Sequence, residues 1–100
     1  MTPVISTHVL DTGRGEPAAG VRVELYRDGV LLSAQDTDRD GRIADLVRGP
    51  IEAATYRLVF HVPFSFASRL ELQFVVADTT RHYHIPLLVS PYACTAYRGS

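Results

Sequence analysis

Lysine is absent: all ten cationic side chains are arginine. That removes Schiff-base chemistry and the phosphate-cradling P-loop, both of which need a primary amine. The one cysteine, Cys94, has no intrachain partner, so a disulfide framework is excluded. Its neighbours Ala93 and Thr95 mark it as a small apolar strand residue rather than a thiolate. No apolar run approaches the ~18 residues of a membrane span. No charge of one sign dominates: ten basic against eleven acidic residues leave a formal net charge of −1, without the basic surplus by which nucleic-acid binders attract polyanions. The segment Met1 to His8 shows neither the basic nor the apolar part of a leader, and Tyr97-Arg98-Gly99-Ser100 is not a receptor-read address. The expected compartment is a bacterial-type cytoplasm.

What is present is a chain of 100 residues, 46% of them apolar, the size of one domain spanning 1–100. A domain of that size hides roughly 60–70% of its unfolded surface and so holds a core without metals or disulfides. The pattern is of short strands between turn signals, with no internal repeat. Val4 to Asp11 is rich in strand formers, and Gly13, Gly15 and Pro17 break it. Val21 to Arg27 alternates, so that Val21, Val23 and Leu25 share a face. Asp28-Gly29 is a hairpin turn, because such turns need positive φ. Strands follow at Val30–Gln35, Ile43–Val47, Tyr56–Phe60, Leu70–Ala77, Tyr83–Val89 and Tyr92–Tyr97, while Phe64–Arg69 has room for one helical turn. About eight strands with little or no helix, spaced by turns every 8–12 residues or so, predict an all-β sandwich.

Histidine titrates near neutral pH, which makes His8, His61, His82 and His84 the first candidates for acid–base work. Strand alternation puts His8 on the face of Ser6 and Leu10, and His84 on the face of Pro86 and Leu88. Two readings are open from the residues alone: surface imidazoles, or an acid–base pair. His82-x-His84 with His8 has the makings of a three-histidine zinc site, but no fourth ligand or carboxylate is signposted. Asp36-Thr37-Asp38-Arg39-Asp40-Gly41-Arg42-Ile43 follows a calcium loop over eight positions. Val47 then stands where a bidentate carboxylate belongs, and Arg39 and Arg42 repel a cation. It reads as an interstrand loop of turn-forming aspartates, with Arg42 at its end. No G-x-S-x-G elbow accompanies Ser6, Ser65, Ser90 or Ser100, and Asp11, Asp45 and Asp78 read as turn residues.

Four blocks taken together carry a resemblance. They are Ser6-Thr7-His8-Val9-Leu10-Asp11, Thr37-Asp38-Arg39-Asp40-Gly41-Arg42, His82-Tyr83-His84-Ile85-Pro86-Leu87-Leu88-Val89-Ser90-Pro91 and Tyr97-Arg98-Gly99-Ser100. In that order they resemble the 5-hydroxyisourate hydrolases, the transthyretin-related enzymes of urate breakdown. The terminal tetrapeptide resembles the enzymes and not transthyretin, the hormone carrier of the same fold. The resemblance implies a transthyretin-like sandwich of two four-stranded sheets. It also implies a homotetramer, a dimer of dimers with active sites between the dimers, and cofactor-free, metal-free hydrolysis of a small purine-derived substrate. By position it implies that His8, Arg42 and His84 are catalytic. Tyr97, Arg98, Gly99 and Ser100 match the tail that closes the site, and Ser100 with the terminal carboxylate would hold a histidine in its tautomer.

The chain departs from the family pattern twice. Between Phe60 and Leu70 it is shorter, with Val62 to Ser68 where the family has a short helix. Ala93-Cys94-Thr95-Ala96 replaces a Gly-Tyr-Ser-Thr-like run beside the tail. The competing expectations are a non-catalytic transthyretin-fold module that holds a small ligand in the same channel, and a monomeric structural sandwich.

Overall fold

The computed structural model describes residues 2–99, and among them no helix occurs. Nine strands run in chain order: β1 Ile5–Asp11, β2 Glu16–Pro17, β3 Arg22–Arg27, β4 Val30–Asp36, β5 Arg42–Ile43, β6 Ala54–His61, β7 Arg69–Val76, β8 Tyr83–Val89 and β9 Cys94–Ala96. They form two sheets. One is ordered β2-β1-β8-β9, with β5 also on β1; the other is ordered β4-β3-β6-β7. The expected all-β transthyretin-like sandwich is the observed architecture, except that the short strands β2 and β5, both paired with β1, make the first sheet five-stranded rather than four-stranded.

Alternation decides which side chains meet between the sheets. Ile5 and Val9 of β1, Val23 and Leu25 of β3, Leu58 and Phe60 of β6, and Leu87 and Val89 of β8 are fully buried and belong to one contiguous core. Thr7 lies among them, and its hydroxyl donates to the Ile85 carbonyl at 2.7 Å, so the one fully buried polar side chain of β1 is satisfied. The β3–β4 hairpin closes on Asp28 and Gly29, at φ 48° and 83°, as the dipeptide predicts.

Three segments differ from the sequence reading. Glu16–Pro17, read as a break, forms the short edge strand β2 against Leu10–Asp11; an edge tolerates the missing N–H of proline. The strand read over Ile43–Val47 ends at Ile43, because the Asp45 carboxylate accepts the N–H groups of Val47 and Arg48 and bends the chain. Leu46 is still fully buried, its N–H on the Ile5 carbonyl at 2.8 Å. The helical turn allowed at Phe64–Arg69 is a non-helical loop tied to the β8–β9 turn: the Ser65 hydroxyl donates to the Ser90 carbonyl at 2.8 Å, and the Phe66 N–H to the Pro91 carbonyl at 2.8 Å.

The loop into β5 leaves little latitude. Gly41 is buried at φ 75° and donates its N–H to the Asp38 carbonyl. A Cβ there would run into the Val9 carbonyl oxygen and approach Pro17 Cβ to 3.1 Å. Gly15 has a similar φ of 71° but open space around it. Gly41→Ala is therefore expected to cost roughly 2–4 kcal/mol, strain plus collision, against about 1–2 kcal/mol for Gly15→Ala, which meets strain alone. Urea unfolding of the two variants beside the parent protein checks the ranking.

Candidate active site

Strand β1 organises the site from the centre of its sheet. On one side it runs parallel to β8 with Ser6 opposite His84 and His8 opposite Pro86; on the other it meets β5 with His8 opposite Arg42. Directly opposed residues project to the same face. The inward row of β1 is Ile5, Thr7 and Val9, so Ser6, His8, Arg42 and His84 all stand on the outward face of this sheet. Three separate strands thus bring together the two histidines and the arginine singled out in the sequence.

Arg42 is aimed by its own loop. The Asp38 carboxylate accepts the N–H of Asp40 and of Arg42, both at 2.9 Å, and Asp38 and Arg42 close the turn with a backbone bond of 3.0 Å. Those backbone donors, with Arg42 first, hold the Asp38 carboxyl below the usual carboxylate range. The Val9 N–H then reaches the Gly41 carbonyl at 2.7 Å and docks the loop on β1 beside His8. Of the aspartates that imitate a calcium loop, Asp38 serves as a mount for Arg42.

The His84 ring is gripped on two flanks. Its Nδ1 lies 2.9 Å from the Ser6 hydroxyl. On the other flank is Gly99, whose N–H donates to the His84 carbonyl at 2.7 Å; a Cβ on Gly99 would come within 2.9 Å of His84 Cδ2. Nδ1 and Cδ2 are the two atoms beside Cγ, so the ring is held on both sides of its attachment and neither contact occupies Nε2. Burial first, then the positive charge of Arg42 and the neighbouring His8, push the His84 imidazole below its ordinary 6.5, so it is neutral at pH 7. The Nε2 of His8 is buried and, among the described residues, has no hydrogen-bond partner. Such an atom costs about 1–3 kcal/mol unless a water, ligand or neighbour engages it.

The tail residues divide. The Tyr97 N–H reaches the Pro86 carbonyl at 3.3 Å and continues the β8–β9 pairing toward Gly99. The Arg98 guanidinium stacks 4.4 Å above the Tyr83 ring. Tyr97 and Arg98 border a cleft of about 220 Å³ against Leu72, Phe74 and Val75 of β7, away from the histidine face. Ser100, the last tail residue singled out in the sequence, lies outside the described residues. His82 does not join a metal cluster: its Nδ1 accepts the Val4 N–H at 3.0 Å, and among the described residues no three His, Cys, Asp or Glu come together for a metal. Sequence reasoning passed over Ser6 as a weak nucleophile. Its two-residue spacing to His8 put both on one face, but only the β1–β8 register shows its contact with His84.

A two-sheet sandwich with two imidazoles and a guanidinium on one outward sheet face is, by fold and site, a transthyretin-like domain equipped for acid–base chemistry. The chain belongs to the HIUase/Transthyretin family, whose model matches residues 5–99. A 5-hydroxyisourate hydrolase of Deinococcus radiodurans is 42% identical over an alignment of 115 positions that takes in 98% of this chain and 97% of the relative. With only 100 residues to align, this chain lacks residues that the relative has. The structure of Klebsiella pneumoniae 5-hydroxyisourate hydrolase superposes with a TM-score of 0.88 at 36% identity, over 96% of this chain and 98% of that one. Sea bream transthyretin in complex with thyroxine gives 0.83 at 26% identity, over 95% and 93%.

The depressed His84 value has a definite sign. Between that value and the ordinary 6.5, the unfolded chain binds more protons than the native protein, so stability falls as pH drops through this window. In Arg42→Met the His84 titration is expected to move up but stop short of 6.5, because burial, the larger cause, stays. Following the imidazole Cε1–H resonance by NMR against pH checks this; a midpoint unmoved by the substitution would remove Arg42 from the electrostatics of the site.

Proposed function

We propose that this protein is a single-domain 5-hydroxyisourate hydrolase of purine breakdown, acting in a bacterial cytoplasm. The observation that carries the reading is the convergence of His8, Arg42 and His84 on one sheet face through the register of β1 with β5 and β8. The 5-hydroxyisourate hydrolases of Deinococcus radiodurans and Rhizobium meliloti, at 42% and 40% identity over nearly their whole lengths, support it.

The chemistry follows from the groups present. A neutral imidazole takes a proton from water as the water oxygen bonds to a ring carbonyl carbon of the substrate. The carbonyl oxygen gains negative charge, which the Arg42 guanidinium offsets with its fork of donors. The ring C–N bond then breaks, and an imidazolium returns the proton to the departing nitrogen, so the net change is the addition of one water. These steps use only side chains of this chain and water. His84 enters neutral, as its burial and the Arg42 cation require, and the unpartnered Nε2 of His8 is ready to engage substrate or water.

An outward sheet face is a poor reaction vessel in a lone protomer, since neither the 220 Å³ cleft nor another of about 610 Å³ beside the β1–β2 turn holds any of the three residues. Our reading therefore includes a homotetramer, a dimer of dimers, in which a second copy roofs the His8–Arg42–His84 face and the tail borders the enclosed substrate through Gly99 and Ser100, while Tyr97 and Arg98 anchor the tail from the other side. Sedimentation velocity is expected to show a single tetrameric species.

The activity test generates 5-hydroxyisourate in the cuvette from urate and uricase and follows its ultraviolet decay. The parent protein is expected to accelerate decay in proportion to its concentration. His8→Ala, Arg42→Ala and His84→Ala are each expected to lose about 100-fold or more in kcat/KM with the tetramer intact. Decay at the spontaneous rate with folded tetramer would favour the ligand-holding module instead.

A further inference from the structure

Ser6 is the residue on the catalytic face that the mechanism has not yet used. It sits directly opposite His84 in the β1–β8 register, half-buried, with its Oγ 2.9 Å from His84 Nδ1. A serine hydroxyl either donates to a bare imidazole nitrogen or accepts from a protonated one. The two cases place the ring proton on opposite nitrogens, and only one leaves Nε2 free at the tip of the ring. We propose that Ser6 is a positioning residue for His84: its Oγ accepts a hydrogen bond from Nδ1–H and so holds the tautomer whose bare Nε2 takes the proton from water.

Two observations favour this direction. Among the described residues, the charged and titratable groups facing the ring are Arg42 from β5 and His8 from β1, with the uncharged Gly99 on the tail side. Arg42 shares this face with the ring, across β1, and a cation on the face favours a lone pair at Nε2 over an N–H, because it attracts the lone pair and repels the polarised hydrogen. The same bond also serves the imidazolium that forms during turnover, since Nδ1–H becomes a stronger donor once the ring is charged. Ser6 thus assigns the base role to His84 and leaves His8 to hold substrate or deliver the proton to the departing nitrogen.

The catalytic part of this proposal rests on the hydrolase reading, so the test has a readout independent of turnover. Long-range proton–nitrogen NMR correlation of the intact, isotope-labelled protein at pH 8 reports which ring nitrogen carries the proton. In the parent protein His84 is expected as a single tautomer with Nδ1 protonated; in Ser6→Ala it becomes a mixture, and Ser6→Thr, which keeps a hydroxyl, restores it. Kinetically, Ser6→Ala is expected to lose about tenfold in kcat, the worth of one net hydrogen bond, with KM within about twofold and Ser6→Thr recovering most of the loss. A proton found on Nε2 in the parent, or an unaltered spectrum in Ser6→Ala, overturns the hydrogen-bond direction. Full-rate hydrolysis by Ser6→Ala overturns the Ser6 role alone, whereas no hydrolysis by the parent overturns the base role together with the hydrolase reading.

Discussion

The parallel pairing of β1 with β8 is the constraint on which the rest depends. Side chains on a strand alternate with a period of two, so a slip of one residue would exchange the two faces of β1. His8 and Ser6 would then turn into a core of Val, Leu and Ile, and Thr7 would turn out to solvent. The observed register is held from both sides. Ile5 and Val9 supply apolar burial, while the buried Thr7 hydroxyl has a partner only where it meets the Ile85 carbonyl. A slipped register would bury an imidazole and the Ser6 hydroxyl without partners and expose Ile5 and Val9, at a cost of several kcal/mol, which is comparable with the whole stability of a domain this small. The core therefore aims the catalytic face, although no core residue reaches it.

Arg42 is placed by a second and independent device. A two-residue strand makes too few ladder bonds to fix a long side chain by itself. The fixing comes from the Asp38 carboxylate on the backbone of Arg42, and from Gly41 tucked against the Val9 carbonyl. These contacts constrain the backbone, not the guanidinium, which stays exposed. That division suits the proposed contact of the Arg42 donors with a substrate oxygen: the base of the side chain is fixed and its fork is free to adjust. It also sets the electrostatics of the face. Burial and, after it, the Arg42 cation hold the His84 imidazole unprotonated, so the group assigned to the developing oxyanion in the proposed reaction also helps keep its neighbour able to accept a proton.

Most of the fold was legible because it rests on local rules. Alternation over Val21–Arg27 and the Asp28-Gly29 dipeptide fixed a hairpin without help from the rest of the chain. The errors fell where side chains bend the backbone. Val47 carries the apolarity of a strand residue, yet Asp45 two positions earlier caps its N–H and turns the segment, and composition cannot distinguish a buried turn from a strand. At the site, His8, Arg42 and His84 were reached through resemblance, since a period-two pattern says which face each occupies but not which strands lie side by side. Ser6 was missed for the same reason: its partner is 78 positions away in the chain, and only the register reveals it.

The β6–β7 connection, read in the sequence as shorter than the family pattern, is linked to the site without touching it. In this chain the loop from Val62 to Ser68 closes on itself, with the Val62 N–H on the Ser68 carbonyl at 2.8 Å. It then spends its hydroxyl and amide donors on the carbonyls of Ser90 and Pro91, at the turn between β8 and β9. Those bonds tie the β4-β3-β6-β7 sheet to the far end of β8, the end opposite His84. The turn they hold launches β9, and β9 carries the chain back along β8 to Gly99 beside the His84 ring. The loop thus acts on the site through the path of the tail rather than by contact. A connection of any length that kept the Ser90–Pro91 turn in place would deliver Gly99 to the same point, because the β8–β9 ladder sets the distance travelled.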